Sequence, residues 1–152
     1  MGILIIIVGL LLWYTIKTYN RVKPLEISVR ESESNIGIIL QKRESILDKL
    51  NDVVNSYSKY EKDIVERLSD DMKANTDSTI AINRLYDAYP DLKLNDTFSN
   101  LVDRLYTIES ERQQTTEYYN SQVKYYNEAV TSFPAIIICS MISFKEKTFF
   151  NS

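Results

Sequence analysis

The sequence predicts an all-α protein: an N-terminal transmembrane helix followed by an antiparallel up-and-down four-helix bundle with two long and two short helices. Three observations predict it. The 152 residues include only three glycines, Gly2, Gly9 and Gly37, and a run of 115 residues without one argues against a turn-rich β architecture, which needs φ > 0 positions. Residues 3–16 (ILIIIVGLLLWYTI) carry no charge. Further along, apolar residues recur at helical spacing over long stretches, with no strand-like alternation.

The anchor comes first. Fourteen residues rise only ~21 Å as a helix, but Met1 to Tyr19 rise roughly 28 Å, close to a ~30 Å hydrocarbon core. Trp13, Tyr14 and Tyr19 then stand where an interfacial aromatic belt belongs. A cleaved signal peptide would want a basic start and a small-residue cleavage site, and neither is written here. Ile6 occupies the place where N-myristoylation wants Ser or Thr. Lys17, Arg21 and Lys23 follow the span at once, so the positive-inside rule puts the N-terminus outside and the rest in the cytoplasm. The expected location is therefore the cell membrane, with a single pass.

A body of residues 20–133 is expected next. Pro24 reads as the first turn of a new helix over about 25–57, where a missing N–H costs least. Its seam runs through Ile36, Ile39/Leu40, Ile46/Leu47, Leu50 and Val53/Val54 to Tyr57, a coiled-coil-like spacing. Ser58 and Glu61 have the form of a capping box opening a short helix over about 60–73. A second short helix over about 77–89 uses Ile80, Ile82, Leu85 and Tyr86, and Pro90 closes it. The last helix, about 97–133, carries Phe98, Leu105, Arg112, Tyr119, Tyr126 and Phe133 seven apart, and Pro134 ends it. The long helices would be ~50 and ~55 Å and the short ones ~20 Å each. Short loops make sequential neighbours antiparallel, which returns residues 134–152, an apolar tail, to the bilayer.

Several motifs resemble those of the LemA family. Tyr89-Pro90-Asp91-Leu92-Lys93 with Asn95 and Phe98 is similar to one family element. Tyr119-Asn120-x-x-Val123-x-x-Tyr126-Asn127, followed by Phe133-Pro134, is similar to a second, and Phe144-Lys145 with Phe149-Phe150 to the family's tail. Arg43, Ile46, Leu47 and Leu50 form a weaker match. Asp48 stands in place of a family Pro, Thr116 in place of an Arg, and the short-helix hairpin is shorter than usual. The resemblance implies a membrane-anchored antiparallel helical bundle and no particular reaction.

Residue inventory narrows the chemistry. With no His and a lone Cys139, His-ligated metals, Cys-His and Ser-His-Asp constellations and internal disulfides are excluded. No cofactor, metal or catalytic residue is expected. Residues 24–144 carry a net charge of −7 against +3 before them and +1 after. An acidic body is a poor nucleic-acid binder, whereas basic ends suit an anionic leaflet.

Arg43 and Arg112 lie on apolar seams that antiparallel pairing brings within a turn of one another. Anion or partner binding is one reading; pairing that fixes helix register is the favoured one, with Arg43–Glu109 as the specific pair. Of the two Tyr pairs, Tyr118 and Tyr125 are expected on the flank as interface residues, and their neighbours in the core. Ala135 to Phe144 is too short to span. It either packs on the bundle or lies in the membrane interface with Phe144, Lys145 and Lys147 at head groups, which is preferred. The expected partners are the lipid bilayer and a protein, with self-association open. The function expected is that of a non-enzymatic scaffold or interaction protein; a signalling module is the alternative, and an enzyme ranks below both.

Overall fold

The computed structural model describes residues 1–56 and 78–151. These form helices α1 (Gly2–Ser56), α2 (Ser78–Ala88), α3 (Asp96–Thr131) and α4 (Ala135–Met141), with a 3-10 turn at Pro90–Leu94 and no strand among the described residues. The protein is all-helical. The short helix expected over 60–73, with its Ser58/Glu61 capping box, lies outside the described residues.

α1 departs from the sequence reading at Pro24. Local chemistry places a boundary there, yet the helix runs through it for 55 residues. An interior proline forgoes one hydrogen bond and crowds the preceding turn, at a cost of about 3 kcal/mol. Tertiary burial on both sides offsets that cost: Thr18, Val22, Val29 and Ser32 are all buried on one stripe. Asn20, whose carbonyl loses its donor to the proline, is exposed and can bond water. Lys23 Nζ donates to Glu26 Oε2 at 2.7 Å across the proline. That hydrogen bond is the main reason the Glu26 carboxyl sits below its usual range, partly opposed by burial.

The most apolar 18-residue window of α1 has a mean hydropathy of 1.8 and is only 6% buried. It is one candidate membrane span. Ile3, Leu4, Ile5, Leu10, Leu11 and Trp13 are each at least 59% exposed. Three consecutive positions cover most of a helix circumference, so this segment is apolar all the way round.

The chain divides into two compact units, one of residues 1–35 with 115–151 and the other of residues 36–114. α1 and α3 each contribute to both. The core of the second unit joins Ile46, Leu47, Leu50 and Val54 of α1 to Ile82 and Leu85 of α2, Leu92 of the 3-10 turn, and Phe98, Val102 and Leu105 of α3. Pro90 occupies the first turn of the 3-10 segment, where its missing N–H is not needed. That turn points Leu92 inward, fully buried. Asn95 Oδ1 accepts the Phe98 N–H at 2.9 Å and caps α3, as an N-cap asparagine does. Tyr86 meets Phe98 edge-on at 5.7 Å.

In the first unit, Val22 and Val29 of α1 are buried with Tyr119, Val123, Tyr126, Ala129 and Val130 of α3. α3 stops at Thr131, short of Pro134, and the tail expected to be one apolar segment begins with α4. Ala135 and Cys139 of α4 are buried while Ile137 and Met141 are exposed. Ser143, at φ 65°, ends α4 in the left-handed region, and the Phe144 N–H returns to the Cys139 carbonyl at 3.0 Å. That six-to-one bond marks a Schellman-type end. It aims Phe144 at Tyr19, with ring centroids 5.9 Å apart.

Gly37 is the one glycine inside the body, and a Cβ there would meet nothing within 4 Å. Gly37→Ala should therefore stabilise the chain by about 0.5–1 kcal/mol through helix propensity alone. Denaturant melts in mild detergent followed by circular dichroism would read it; a destabilised variant would show that Gly37 serves a close contact.

Candidate functional site

Two polar constructions stand out, one in each unit. In the second unit, α1 presents Arg43 and α3 presents Glu109 and Arg112. Arg43 Nε donates to Glu109 Oε1 at 2.6 Å, and Arg112 Nε donates to Glu109 Oε2 at 2.9 Å. One carboxylate thus receives a guanidinium on each oxygen. The three side chains are 14%, 19% and 17% exposed for Arg43, Glu109 and Arg112, so water screens them only partly. Charge-assisted bonds of this kind are stronger than neutral ones. Both arginines are committed to the bridging carboxylate, which suits a register-setting layer. By contrast, Lys42 and Glu111 lie 3.9 Å apart with both side chains about half exposed, the geometry of a surface pair worth little.

In the first unit the tail returns along α3, and three α3 side chains hold it through its backbone. Asn127 Nδ2 donates to the Lys147 carbonyl at 2.9 Å while its Oδ1 accepts the Lys147 N–H at 2.8 Å. Asn120 repeats the pattern on Phe150, donating at 3.1 Å and accepting at 2.8 Å. Between them the Tyr119 hydroxyl donates to the Thr148 carbonyl at 3.0 Å. Seven residues on a helix rise ~10.5 Å and return to the same face. Three residues of extended chain cover ~9–10 Å and, with three-fold polyproline II periodicity, bring the same backbone groups back to the same side. The two asparagines therefore match tail residues 147 and 150 in spacing as well as in chemistry. As the tail advances its partners step backward along α3, so it runs opposite to that helix.

Tyr119 and Tyr126 supply the inner half of this device. Both rings are buried, and burial is the main reason each phenol is pushed above its ordinary range. A phenol is protonated near neutrality even at its ordinary pKa, so Tyr119 is a donor to the tail. Tyr118 and Tyr125, one residue earlier in each pair, are 55% and 56% exposed. The structure thus separates the four tyrosines into two that pack and two that face outward.

The remaining sequence candidates are distributed as follows. Trp13 is exposed with the Lys17 ammonium 5.1 Å over its ring, and Tyr14 is half-buried. Arg21 is exposed, Lys23 pairs with Glu26, and Tyr19 meets Phe144. Lys145 is exposed, and Lys147 is held by its backbone. Cys139 is buried and its thiol pushed up by that burial, the reverse of nucleophile activation. Thr116 is buried, and its hydroxyl has no hydrogen-bond partner among the described residues.

The sequence motif contains Asn120 and Asn127, but sequence reasoning assigned them no role. The available signal was that each directly follows a buried tyrosine, at a heptad interval, on the flank of an otherwise charged helix.

A chain of this kind is an all-helical protein with one apolar N-terminal helix and a C-terminal segment strapped to its long third helix. The family model described as the LemA family matches residues 66–152. The chain belongs to that family. No curated protein sequence matches it.

The two ion pairs make a direct comparison possible. Glu109→Gln should cost about 1–3 kcal/mol of stability, because two adjoining guanidiniums lose their shared charge, whereas Glu111→Gln should change it by less than about 0.5 kcal/mol. Equal effects of the two substitutions on the denaturation midpoint would contradict the bridging role.

Proposed function

We propose that the chain is a single-pass, membrane-anchored helical interaction protein that works without catalysis. The observation that carries the proposal is the exposure of nearly every apolar side chain over residues 3–16 of α1. Such a helix is stable in hydrocarbon and unstable in water. Lys17 and Arg21 follow that segment, which supports an outside N-terminus and a cytoplasmic body. α4 belongs to the same picture: its exposed Ile136, Ile137 and Met141 suit the membrane interface, with Phe144 against Tyr19 and with Lys145 and Lys147 at head-group level.

The body's arrangement in this proposal is an antiparallel up-and-down bundle serving as a scaffold. Support comes from pairings between α1 and α3 within each unit. Glu26 lies close enough to Tyr126, and Glu33 to Tyr119, to raise those phenols. Arg43 bonds Glu109. In the first unit, positions rise on one helix as they fall on the other. Tyr118 and Tyr125 are the proposed contacts for a protein partner, since exposed tyrosines anchor interfaces at low entropic cost. A non-catalytic role is supported by the absence of His from the sequence and the buried, proton-retaining thiol of Cys139.

A regulatory role is the second reading, and one observation favours it. α1 is unbroken from Gly2 to Ser56, so a shift of its apolar end would be carried into the packed part of the helix.

Membrane fractionation tests the anchor. The full chain should stay with membranes through an alkaline carbonate wash, and a chain lacking residues 2–19 should be released. Release of the full chain, or retention of both, would overturn the proposal.

A further inference from the structure

The strap formed by residues 144–150 has three properties that together point beyond an internal fastening. First, it is recognised through its backbone. All five hydrogen bonds that Tyr119, Asn120 and Asn127 make with the tail engage main-chain groups of Lys147, Thr148 and Phe150, three donated by the side chains and two accepted by them. Second, few side-chain contacts add to these bonds: residues 145–149 are exposed, Phe150 is half-buried, and Phe144 meets Tyr19. Third, it is joined to α4 by Ser143 at φ 65°. A residue with a side chain adopts that conformation at a cost, and an unfolded hinge would not bear it.

A segment whose hydrogen bonds all run through its backbone is equally well held when it comes from another molecule with the same tail. We propose that the Tyr119/Asn120/Asn127 face of α3 is a strand-accepting site, and that its occupant in trans is the C-terminal tail of a second copy of this chain. Reciprocal exchange of residues 144–151 then links two copies, each tail making in its neighbour the same bonds it makes at home. Exchange of an identical element is an economical route to dimers, because every hydrogen bond given up within a chain is remade between chains. The partner copy completes the site, and Ser143 is the hinge. This inference rests on the tail's attachment to α3 and is independent of where the apolar end of α1 resides.

Complementation tests it with full-length chains. A groove-deficient chain, Asn120→Ala with Asn127→Ala, keeps a competent tail. A tail-deficient chain, Lys147→Pro with Phe150→Pro, keeps a competent groove but lacks both N–H donors. Each carries a different affinity tag and is purified in mild detergent. Mixed together, the two should co-purify at least tenfold more than either does with a differently tagged copy of itself. Co-purification of the mixture no greater than that of each alone would overturn the proposal. A second measurement needs no change to the clamp. A photo-crosslinking phenylalanine analogue replaces the exposed Phe149 in a one-to-one mixture of nitrogen-15 and nitrogen-14 chains. Tail-to-α3 crosslinks joining heavy and light peptides are the expected result. Crosslinks confined to peptides of one isotope would show that the tail never leaves its own chain.

Discussion

In each unit one stripe of α1 has to be covered, and the rest of that unit is organised around the requirement. Val22, Val29 and Ile36 stand seven apart and are all buried, followed by Ile39, Ile46, Leu47 and Leu50 on the same face. α3 contributes buried Leu105 to the core of one unit and buried Tyr119 and Tyr126 to the other unit. Short elements complete each unit: α2 and Leu92 in one, α4 with Ala135 and Cys139 in the other. Hydrophobic burial supplies the drive, and the bridged carboxylate of Glu109 adds direction, since sliding one helix by a turn would strand charges away from water.

Much of this was legible beforehand. Heptad spacing and the absence of glycine after position 37 announced long helices. The ends of α2 and α3 fall within one or two residues of the expected limits because Pro90, Asn95 and Pro134 are strong local punctuation. Pro24 misled because local chemistry and tertiary burial pulled in opposite directions. The residues buried on both sides outweighed one missing hydrogen bond, and nothing in a local window weighs that balance. The tail was opaque for another reason. Its strap is held by main-chain groups, which leave no side-chain periodicity, and the asparagines that hold it look like any polar residues on a solvated flank.

The Tyr-Asn pairs show how one helix face can serve two purposes. In each pair the tyrosine turns inward and the next residue reaches sideways. The same heptad interval therefore spaces both the packing rings and the amides that grip the tail. This links two of the motifs that suggested the family: the paired Tyr-Asn element and the Phe-rich tail are the two halves of one contact. Their joint presence makes physical sense, since either half alone would leave main-chain or amide groups to water.

In the proposed function, α1 changes solvent partway along its length. Residues 2–16 would face lipid, and everything from Thr18 onward would face protein on one side only. Single nitroxide labels placed in turn at residues 3–32, in full chains reconstituted into vesicles, read this directly through collision with oxygen and with a water-soluble nickel complex. High oxygen and low nickel accessibility is expected at every label from 3 to 16. Beyond Thr18 accessibility should oscillate with a period near 3.6 residues, with minima at Val22 and Val29. Oscillation already present among residues 3–16, or free nickel access there, would contradict a lipid-facing anchor.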